Sequence, residues 1–226
     1  RTPLHAWYEH PRLNPNHEAD ESTIFDIGSA CHSLVLNDPQ VFEIIDAADW
    51  RTKDAKAARD AAREAGKIPL LKDQWGRVKD MCHSARRQLD AHSEASDAFT
   101  NGEPERTLIW EEDGIYCRVK LDWKPNSGIS FYDYKSTDCA YPDVFQRIMV
   151  PLGHDVQAAF YMRGIRKLGL CDRPQFRFVV QERDPPYALS VIAPTPQMLD
   201  LAERKVARAI QLWRRCLATN MWPGYP

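Results

Sequence analysis

Apolar and polar positions alternate in two different ways along the chain, and the change falls near residue 105. In the first hundred residues apolar side chains return every three or four positions, which predicts helices. The predicted helical segments are 3–10, 24–36 and 73–92. Residues 50–67 are rich in Lys, Arg, Ala and Asp, and this composition favours an exposed helix or a mobile arm.

From Glu105 onward the period changes to two, which is typical of strands. The dipeptide Asp113-Gly114 is a strong signal for a two-residue hairpin, and residues 125–128 form a second turn signal. The pattern therefore predicts a three-stranded meander with strands Thr107–Glu111, Ile115–Trp123 and Ile129–Ser136.

The helical period returns after this meander. The predicted helices are 143–150, 153–168 and 195–218, and the predicted strands are 176–181 and 188–192. This order predicts an α/β (mixed α+β) fold in which helices flank a central mixed sheet. We interpret 1–226 as one domain, with a mainly helical part (1–100), a catalytic sheet with helices (105–193) and a C-terminal helix (195–220).

Composition narrows the classes of function. The formal net charge is −2, so a nucleic-acid partner would need a local basic patch. The 6 cysteines lack the spacing of a zinc site and suit reduced thiols of a cytosolic protein. No apolar run approaches the roughly 20 residues that cross a membrane, and no signal peptide is visible. We therefore expect a cytoplasmic protein without a membrane partner.

Charged residues that could carry chemistry gather on two neighbouring strands. On the second predicted strand Asp122 shares a face with Tyr116, Arg118 and Lys120, because alternate side chains point the same way. On the third strand Asp133 and Lys135 share a face, whereas the side chain of Tyr134 points away. A tight turn between the strands would bring both aspartates and the lysine together.

Two carboxylates and an ammonium on a half-buried sheet are costly unless a cation offsets their charge. Oxygen ligands suit Mg²⁺, for which Mn²⁺ can substitute, and the backbone carbonyl of Tyr134 is a further candidate ligand. Lys135 would orient or deprotonate an attacking water and stabilise the charge that develops. The alternative interpretation is an exposed hairpin with charges on its solvent face.

Three motifs occur in the order found in one family of nucleases. Asp122 followed by Asp133-Tyr134-Lys135 resembles the core of the PD-(D/E)XK nuclease superfamily. Gly28 to His32 is similar to the GxxxH motif of RecE-like and RecB-like nucleases, and Gln157 with Tyr161 to their QxxxY motif. The chain therefore resembles the RecE-like and lambda-exonuclease-like phage recombination exonucleases, the exodeoxyribonuclease VIII type. Asp133 stands where Glu is commoner, and the proline of the class name is absent.

This resemblance implies a restriction-endonuclease-like core and a set of roles. His32 would join Asp122 and Asp133 in holding metal, while Gln157 and Tyr161 would position Lys135, the water or the scissile strand. Relatives degrade linear double-stranded DNA from 5′ ends and leave 3′ overhangs for recombination. They assemble as toroidal homo-oligomers, trimers or tetramers, and work with a single-strand annealing protein. A bacterial host cell, with a phage or prophage origin, is implied.

Phosphate contacts are expected from Arg118 and Lys120, with Arg12 as a weaker candidate for a terminal phosphate. Glu111 and Glu112 precede the hairpin turn, and we expect them to be solvated rather than bound to metal. Two rival functions use the same residues. One is an endonuclease of the restriction, repair or CRISPR-adaptation type, and the other is a non-catalytic DNA-binding module.

Overall fold

A five-stranded mixed sheet organises the computed structural model, which describes residues 2–17, 25–37 and 42–225. Its strands are β3 (Gly102–Glu112), β4 (Ile115–Pro125), β5 (Ser130–Thr137), β6 (Gln175–Glu182) and β7 (Leu189–Ile192). They lie side by side in chain order, with β5 and β6 parallel and the other neighbours antiparallel. The predicted meander and the mixed character of the sheet are confirmed.

Helices surround this sheet close to the predicted positions. They are α1 (Pro3–Tyr8), α2 (Phe25–Val35), α3 (Lys53–Glu64), α4 (Lys72–Asp90), α5 (Pro142–Met149), α6 (His154–Lys167) and α7 (Pro196–Thr219). The segment 50–67 is mainly the helix α3, so the interpretation as an exposed helix is confirmed and the interpretation as a mobile arm is wrong. No helix within the described residues is long and apolar enough to cross a membrane.

One pair of strands was not predicted. β1 (Phe42–Ile45) and β2 (Ile68–Leu71) run parallel, and α3 connects them. Each strand is only four residues long, and Pro69 interrupts the second, so neither produces a period that can be recognised locally. Their pairing is a long-range contact, which single-sequence patterns do not register.

Two hydrophobic cores lie on opposite faces of the sheet. Alternate residues of β5 divide between them: Phe131 faces the core with α6 and α7, while Tyr132 and Tyr134 face the core with α2 and α4. The hydroxyl of Tyr134 donates to Oε1 of Gln181 at 2.7 Å and lies 3.1 Å from Sγ of Cys31. These contacts fasten β5 to β6 and to α2.

The β3–β4 hairpin turns at Asp113 and Gly114, both with positive φ (52° and 76°), as a type I′ turn requires. Its ladder is regular except at one position. Pro104 pairs with Trp123 and Arg106 with Leu121, which leaves Glu105 opposite Asp122 without a ladder pair. Glu105 has φ 55°, a strained conformation for a residue other than glycine.

β4 and β5 diverge just after the turn that joins them. Only Trp123 and Tyr132 form a ladder pair between these strands, whereas β5 and β6 stay paired along their full lengths. Beyond that pair, Oδ2 of Asp122 accepts the backbone N–H of Tyr134 at 2.8 Å. The Asp122 side chain therefore occupies the gap between the two strands.

Candidate active site

The divergence of β4 and β5 places Asp122 at the centre of a polar cluster. Its carboxylate is largely buried, with 14% of the side chain exposed, and its Oδ2 lies 3.0 Å from Nε2 of His32. The other ring nitrogen of His32, Nδ1, lies 3.6 Å from Oε1 of Glu105. The imidazole therefore bridges two carboxylates that belong to neighbouring strands.

The position of His32 depends on how α2 approaches the sheet. Gly28 lies one turn earlier on this helix, and a Cβ atom there would lie 3.4 Å from Oγ of Ser136 on β5. A glycine thus allows the close approach of the helix. The ring of His32 also meets that of Tyr134 edge-on, with centroids 6.2 Å apart. The close approach at Gly28 therefore places His32, one helical turn later, within reach of Asp122.

Glu105 is a functional candidate that the sequence analysis missed. Donor atoms of His32, Glu105 and Asp122 all lie within 4.8 Å of one another, close enough to hold one metal ion. A second oxygen of Glu105 forms an ion pair with Lys120. The hairpin register could have identified it, because Glu105 precedes Asp113 by eight positions and Asp122 follows Gly114 by eight.

Asp133 lies next to this group and is completely buried, with 0% exposure. Its Oδ2 accepts a hydrogen bond from Nε2 of Gln157 at 2.6 Å. Its Oδ1 has Lys135 as an ion-pair partner but forms no directional hydrogen bond. Burial raises the pKa of Asp133 to about 7, and the negative charge of Asp122 adds to the increase.

Lys135 is held as an ammonium ion by the same carboxylates. Burial alone would lower its pKa, but Asp133 and then Asp122 outweigh that effect, and the pKa is raised. Lys135 is therefore charged at neutral pH. The charge suits the stabilising of an anion or the orienting of water, and makes the lysine a poor base in this state.

Helix α6 supplies the second wall of the cluster. Gln157 and Tyr161 lie one turn apart on one face of this helix, beside the carboxylate of Asp133. Burial raises the pKa of the Tyr161 hydroxyl, with Asp133 contributing further. One turn before Gln157, His154 stacks on Phe145 with ring centroids 5.6 Å apart.

Most of the predicted site residues are brought together. His32, Asp122, Asp133, Lys135, Gln157 and Tyr161 surround one region, and the Tyr134 backbone joins its two strands. Lys120 reaches the cluster through Glu105, and Arg118 lies further along the same strand face. Arg12 lies in the turn after α1, outside this cluster.

The glutamates before the hairpin turn differ from each other. Glu111 is exposed, as expected. Glu112 is buried, with 7% exposure, and Arg163 donates to both of its oxygens. The expectation that Glu112 is solvated was wrong, because the pattern could not reveal an arginine on a helix that packs against this strand.

The donor set fits a hard divalent cation. Carboxylate oxygens and an imidazole nitrogen are suitable ligands for Mg²⁺ or Mn²⁺. Three carboxylates, those of Glu105, Asp122 and Asp133, face the ammonium groups of Lys120 and Lys135. Burial, followed by the negative charge of Asp122, raises the pKa of Asp133 despite the nearby Lys135, so a cation bound here would stabilise the ionised carboxylate.

Comparison with known proteins gives a family and a fold. A family model described as "PDDEXK-like domain of unknown function (DUF3799)" matches residues 8–226. A solved structure from Eubacterium rectale, named "Putative exonuclease", is similar with a TM-score of 0.59 and 14% identity, over 100% of this chain and 83% of that chain. At this identity the likeness shows the fold alone. Among curated proteins, no relative matches the chain.

Proposed function

The chain belongs to the PDDEXK-like domain family, and on this premise we propose that it is a divalent-metal-dependent exonuclease of linear double-stranded DNA. The observation that carries the proposal is the pair formed by the buried Asp133 and the half-buried Lys135 beside the His32–Glu105–Asp122 group. A charged pair in this position stabilises the fold poorly. Its placement beside three potential metal ligands suits metal-assisted hydrolysis of a phosphodiester.

The proposed cofactor is Mg²⁺, with Mn²⁺ as a substitute. His32, Asp122, Asp133 and the backbone carbonyl of Tyr134 would hold it, and we add Glu105 to this set because its carboxylate faces that of Asp122. When bound, such an ion polarises the phosphate and promotes formation of hydroxide from water. Metal binding requires the ionised carboxylate, so it would also lower the pKa of Asp133.

The protein side chains have separable roles in this proposal. The ammonium of Lys135 holds the attacking water and stabilises the negative charge that develops on the phosphate oxygens. Gln157 fixes the orientation of Asp133 through a 2.6 Å hydrogen bond. The backbone N–H of Tyr134 fixes Asp122 in the same way. Tyr161, one turn after Gln157 on the same helix, would position the water or the scissile strand. Lys120 and Arg118, with Arg12 at a terminal phosphate, would hold the DNA backbone.

The mode of action is proposed from the motif resemblance. Gly28 to His32 and the Gln157–Tyr161 pair favour the RecE-like branch, whose members digest one strand from its 5′ end and leave a 3′ overhang. We propose the same polarity, a toroidal homo-oligomer of three or four subunits and a single-strand annealing protein as partner in recombination. We also propose a cytoplasmic location in a bacterial host, with a phage or prophage origin.

Linear duplex DNA labelled at either the 5′ or the 3′ end, beside a covalently closed circle, tests this proposal. With Mg²⁺ the wild-type protein should release the 5′ label first and spare the circle, and EDTA should abolish the reaction. Lys135→Ala should be inactive. Lys167→Ala is the matched control, because Lys167 also lies near a carboxylate, 3.9 Å from that of Glu112, but away from the site.

Each result separates one part of the proposal from the rest. Cutting of the circle would replace the exonuclease by an endonuclease that uses the same residues. Early release of the 3′ label would reverse the proposed polarity. Binding of DNA without any metal-dependent product, or full activity of Lys135→Ala, would contradict the catalytic assignment itself.

A further inference from the structure

The β3–β4 hairpin presents an open face that leads away from the candidate active site. We call it the hairpin face, and its residues are Thr107, Ile109 and Glu111 on β3 and Tyr116, Arg118 and Lys120 on β4. All six are exposed, whereas the residues between them on both strands are buried against α6 and α7 or elsewhere in the core. The row on β4 continues directly to Asp122.

Two large side chains with apolar surface, toward the turn end of the hairpin face, are mostly exposed to solvent. Tyr116 is 78% exposed and Ile109 is 57% exposed. Ile109 lies opposite Arg118, and Glu111 lies opposite Tyr116, so Ile109 and Tyr116 are diagonal neighbours on adjacent strands. An exposed aromatic ring beside an exposed aliphatic side chain offers a flat surface for another molecule.

On β4 the positive charges of Arg118 and Lys120 lie between Tyr116 and the active site, and Arg118 lies directly opposite Ile109. Lys120 faces Glu105, and no ion pair of Arg118 occurs within the described residues. Glu111 is the acidic residue at the turn end of this face. A phosphate is therefore favoured beside Arg118 and Lys120 and disfavoured beside Tyr116, where an uncharged ring would be the better partner.

The spacing of this row suits an extended nucleic-acid strand. Same-face residues on a strand repeat about every 7 Å, comparable with the distance between successive phosphates of an extended single strand. Tyr116 precedes Asp122 by six positions, which corresponds to about 20 Å. A strand of three or four nucleotides would therefore reach from the scissile phosphate to the tyrosine ring.

We propose that the hairpin face binds a single strand of DNA that continues from the phosphate held at the catalytic centre. Successive phosphates contact Lys120 and Arg118, and an unpaired base stacks on Tyr116 with Ile109 beneath its edge. A paired base inside a duplex has both faces covered by its neighbours, so an exposed ring selects an unpaired base. This inference rests on the proposed nuclease function and specifies the form of the DNA next to the scissile bond.

Binding is tested separately from hydrolysis, by fluorescence anisotropy with a labelled single-stranded 16-mer and with a blunt duplex, in Ca²⁺ or in EDTA. Tyr116→Ala should weaken binding of the single strand by about 5- to 100-fold, the range for loss of one stacked base. The blunt duplex should change less than twofold. Tyr116→Phe should bind like wild type, because the ring remains.

Tyr8→Ala is the matched control, since Tyr8 is also an exposed tyrosine, 65% exposed, on α1. It should bind both substrates like wild type. The proposal is overturned if Tyr116→Ala binds the single strand normally, or if it loses the single strand and the duplex equally. Unchanged DNA binding would leave a protein partner as the occupant of this face.

A length series connects the hairpin face to catalysis. For wild type, KM should fall as the single strand grows from two to about six nucleotides, because longer substrates reach Tyr116. In Tyr116→Ala the part of this fall that comes from lengths beyond about three nucleotides should be absent, the part that comes from Lys120 and Arg118 should remain, and kcat should be unchanged. If no substrate is hydrolysed but the anisotropy preference persists, the nuclease proposal fails alone. If hydrolysis occurs without any effect of Tyr116, the hairpin-face proposal fails alone.

Discussion

Two clusters of charged residues, each built around a buried carboxylate, lie against the same sheet, and the pKa of that carboxylate is raised in one and lowered in the other. The first is the candidate active site around Asp133. The second, which we call the α6 bridge, consists of Glu112 on β3, Arg163 and Lys167 on α6, and Glu203 on α7. Both contain a nearly inaccessible carboxylate next to a cation, so burial does not distinguish them.

The hydrogen bonds of the carboxylate do distinguish them. Glu112 accepts from Nε of Arg163 at 2.9 and 3.1 Å and from the indole of Trp110 at 3.3 Å, and Arg163 first of all lowers its pKa. Asp133 has one hydrogen bond and one ion pair, and burial raises its pKa to about 7. Both carboxylate oxygens of Glu112 in the α6 bridge already have hydrogen-bond donors. The candidate site is the one in which a further cation would be stabilising.

The largest expected effect separates the lysines of the two clusters. Lys135→Met should reduce DNA hydrolysis by about 10²- to 10⁴-fold, the range for loss of a group that acts in proton transfer or charge stabilisation. The thermal midpoint should change little, because Asp133 can become protonated when its partner is removed. Lys167→Met should leave hydrolysis within about twofold. Equal losses in both variants would remove the distinction between the clusters.

The arginine of the α6 bridge should have the reverse profile. Arg163→Met leaves Glu112 buried without its main partner, which should lower the free energy of unfolding by about 3 kcal/mol. Urea denaturation measures this loss. Well below the melting temperature, hydrolysis per folded molecule should stay close to wild type. A variant that folds normally but is inactive would show that the bridge belongs to the site.

A smaller effect, on metal affinity, tests the role of Glu105, which only the structure identified. Glu105→Gln should weaken binding of Mn²⁺, measured by calorimetry, by about 10- to 100-fold. Glu103→Gln is the control, because this glutamate lies two positions away on β3 and pairs with Lys124 rather than with the cluster. Wild-type affinity in Glu105→Gln would exclude Glu105 from the metal ligands.

The smallest effect concerns acid sensitivity. The pKa of Glu112 is lower in the folded protein than the value of about 4.3 in an unfolded chain. Its ionised form therefore stabilises the fold fully above pH 4.3, and this contribution is lost as pH falls through the lowered pKa. Glu112→Gln should be about 1–3 kcal/mol less stable at pH 6, with a difference that narrows toward pH 3. A difference independent of pH would contradict this origin.

Local patterns were sufficient for much of the fold. The hairpin at Asp113-Gly114 needed only a turn that accepts two positive φ angles. The helices α4, α6 and α7 repeat their apolar positions over several turns, so their periods were clear. β1 and β2 were missed because four residues carry too little pattern, and because their pairing joins segments more than twenty positions apart.

In the candidate site, too, the residues that a local sequence pattern marks were predicted, and those defined by contacts between distant segments were missed. Strand alternation around one turn places Asp122, Asp133 and Lys135 together, whereas Gln157 and Tyr161 were found through their resemblance to the QxxxY motif. Glu105 was missed because the predicted strand began at Thr107, whereas β3 begins at Gly102, so the hairpin register was not extended to the position opposite Asp122. Arg163, which decides the state of Glu112, lies 51 positions away in sequence, and no local pattern links them.

We propose that the two clusters differ in function: the one around Asp133 binds a metal ion and is catalytic, and the one around Glu112 is structural. The most direct test removes one carboxylate charge from each without changing its size, in Asp122→Asn and in Glu112→Gln, and measures Mn²⁺ binding and Mn²⁺-dependent DNA hydrolysis below the melting temperatures. We predict that Asp122→Asn loses metal binding and hydrolysis together, each by at least about 100-fold, while Glu112→Gln retains both. Retention of both properties by Asp122→Asn, or an equal loss in Glu112→Gln, would contradict the account.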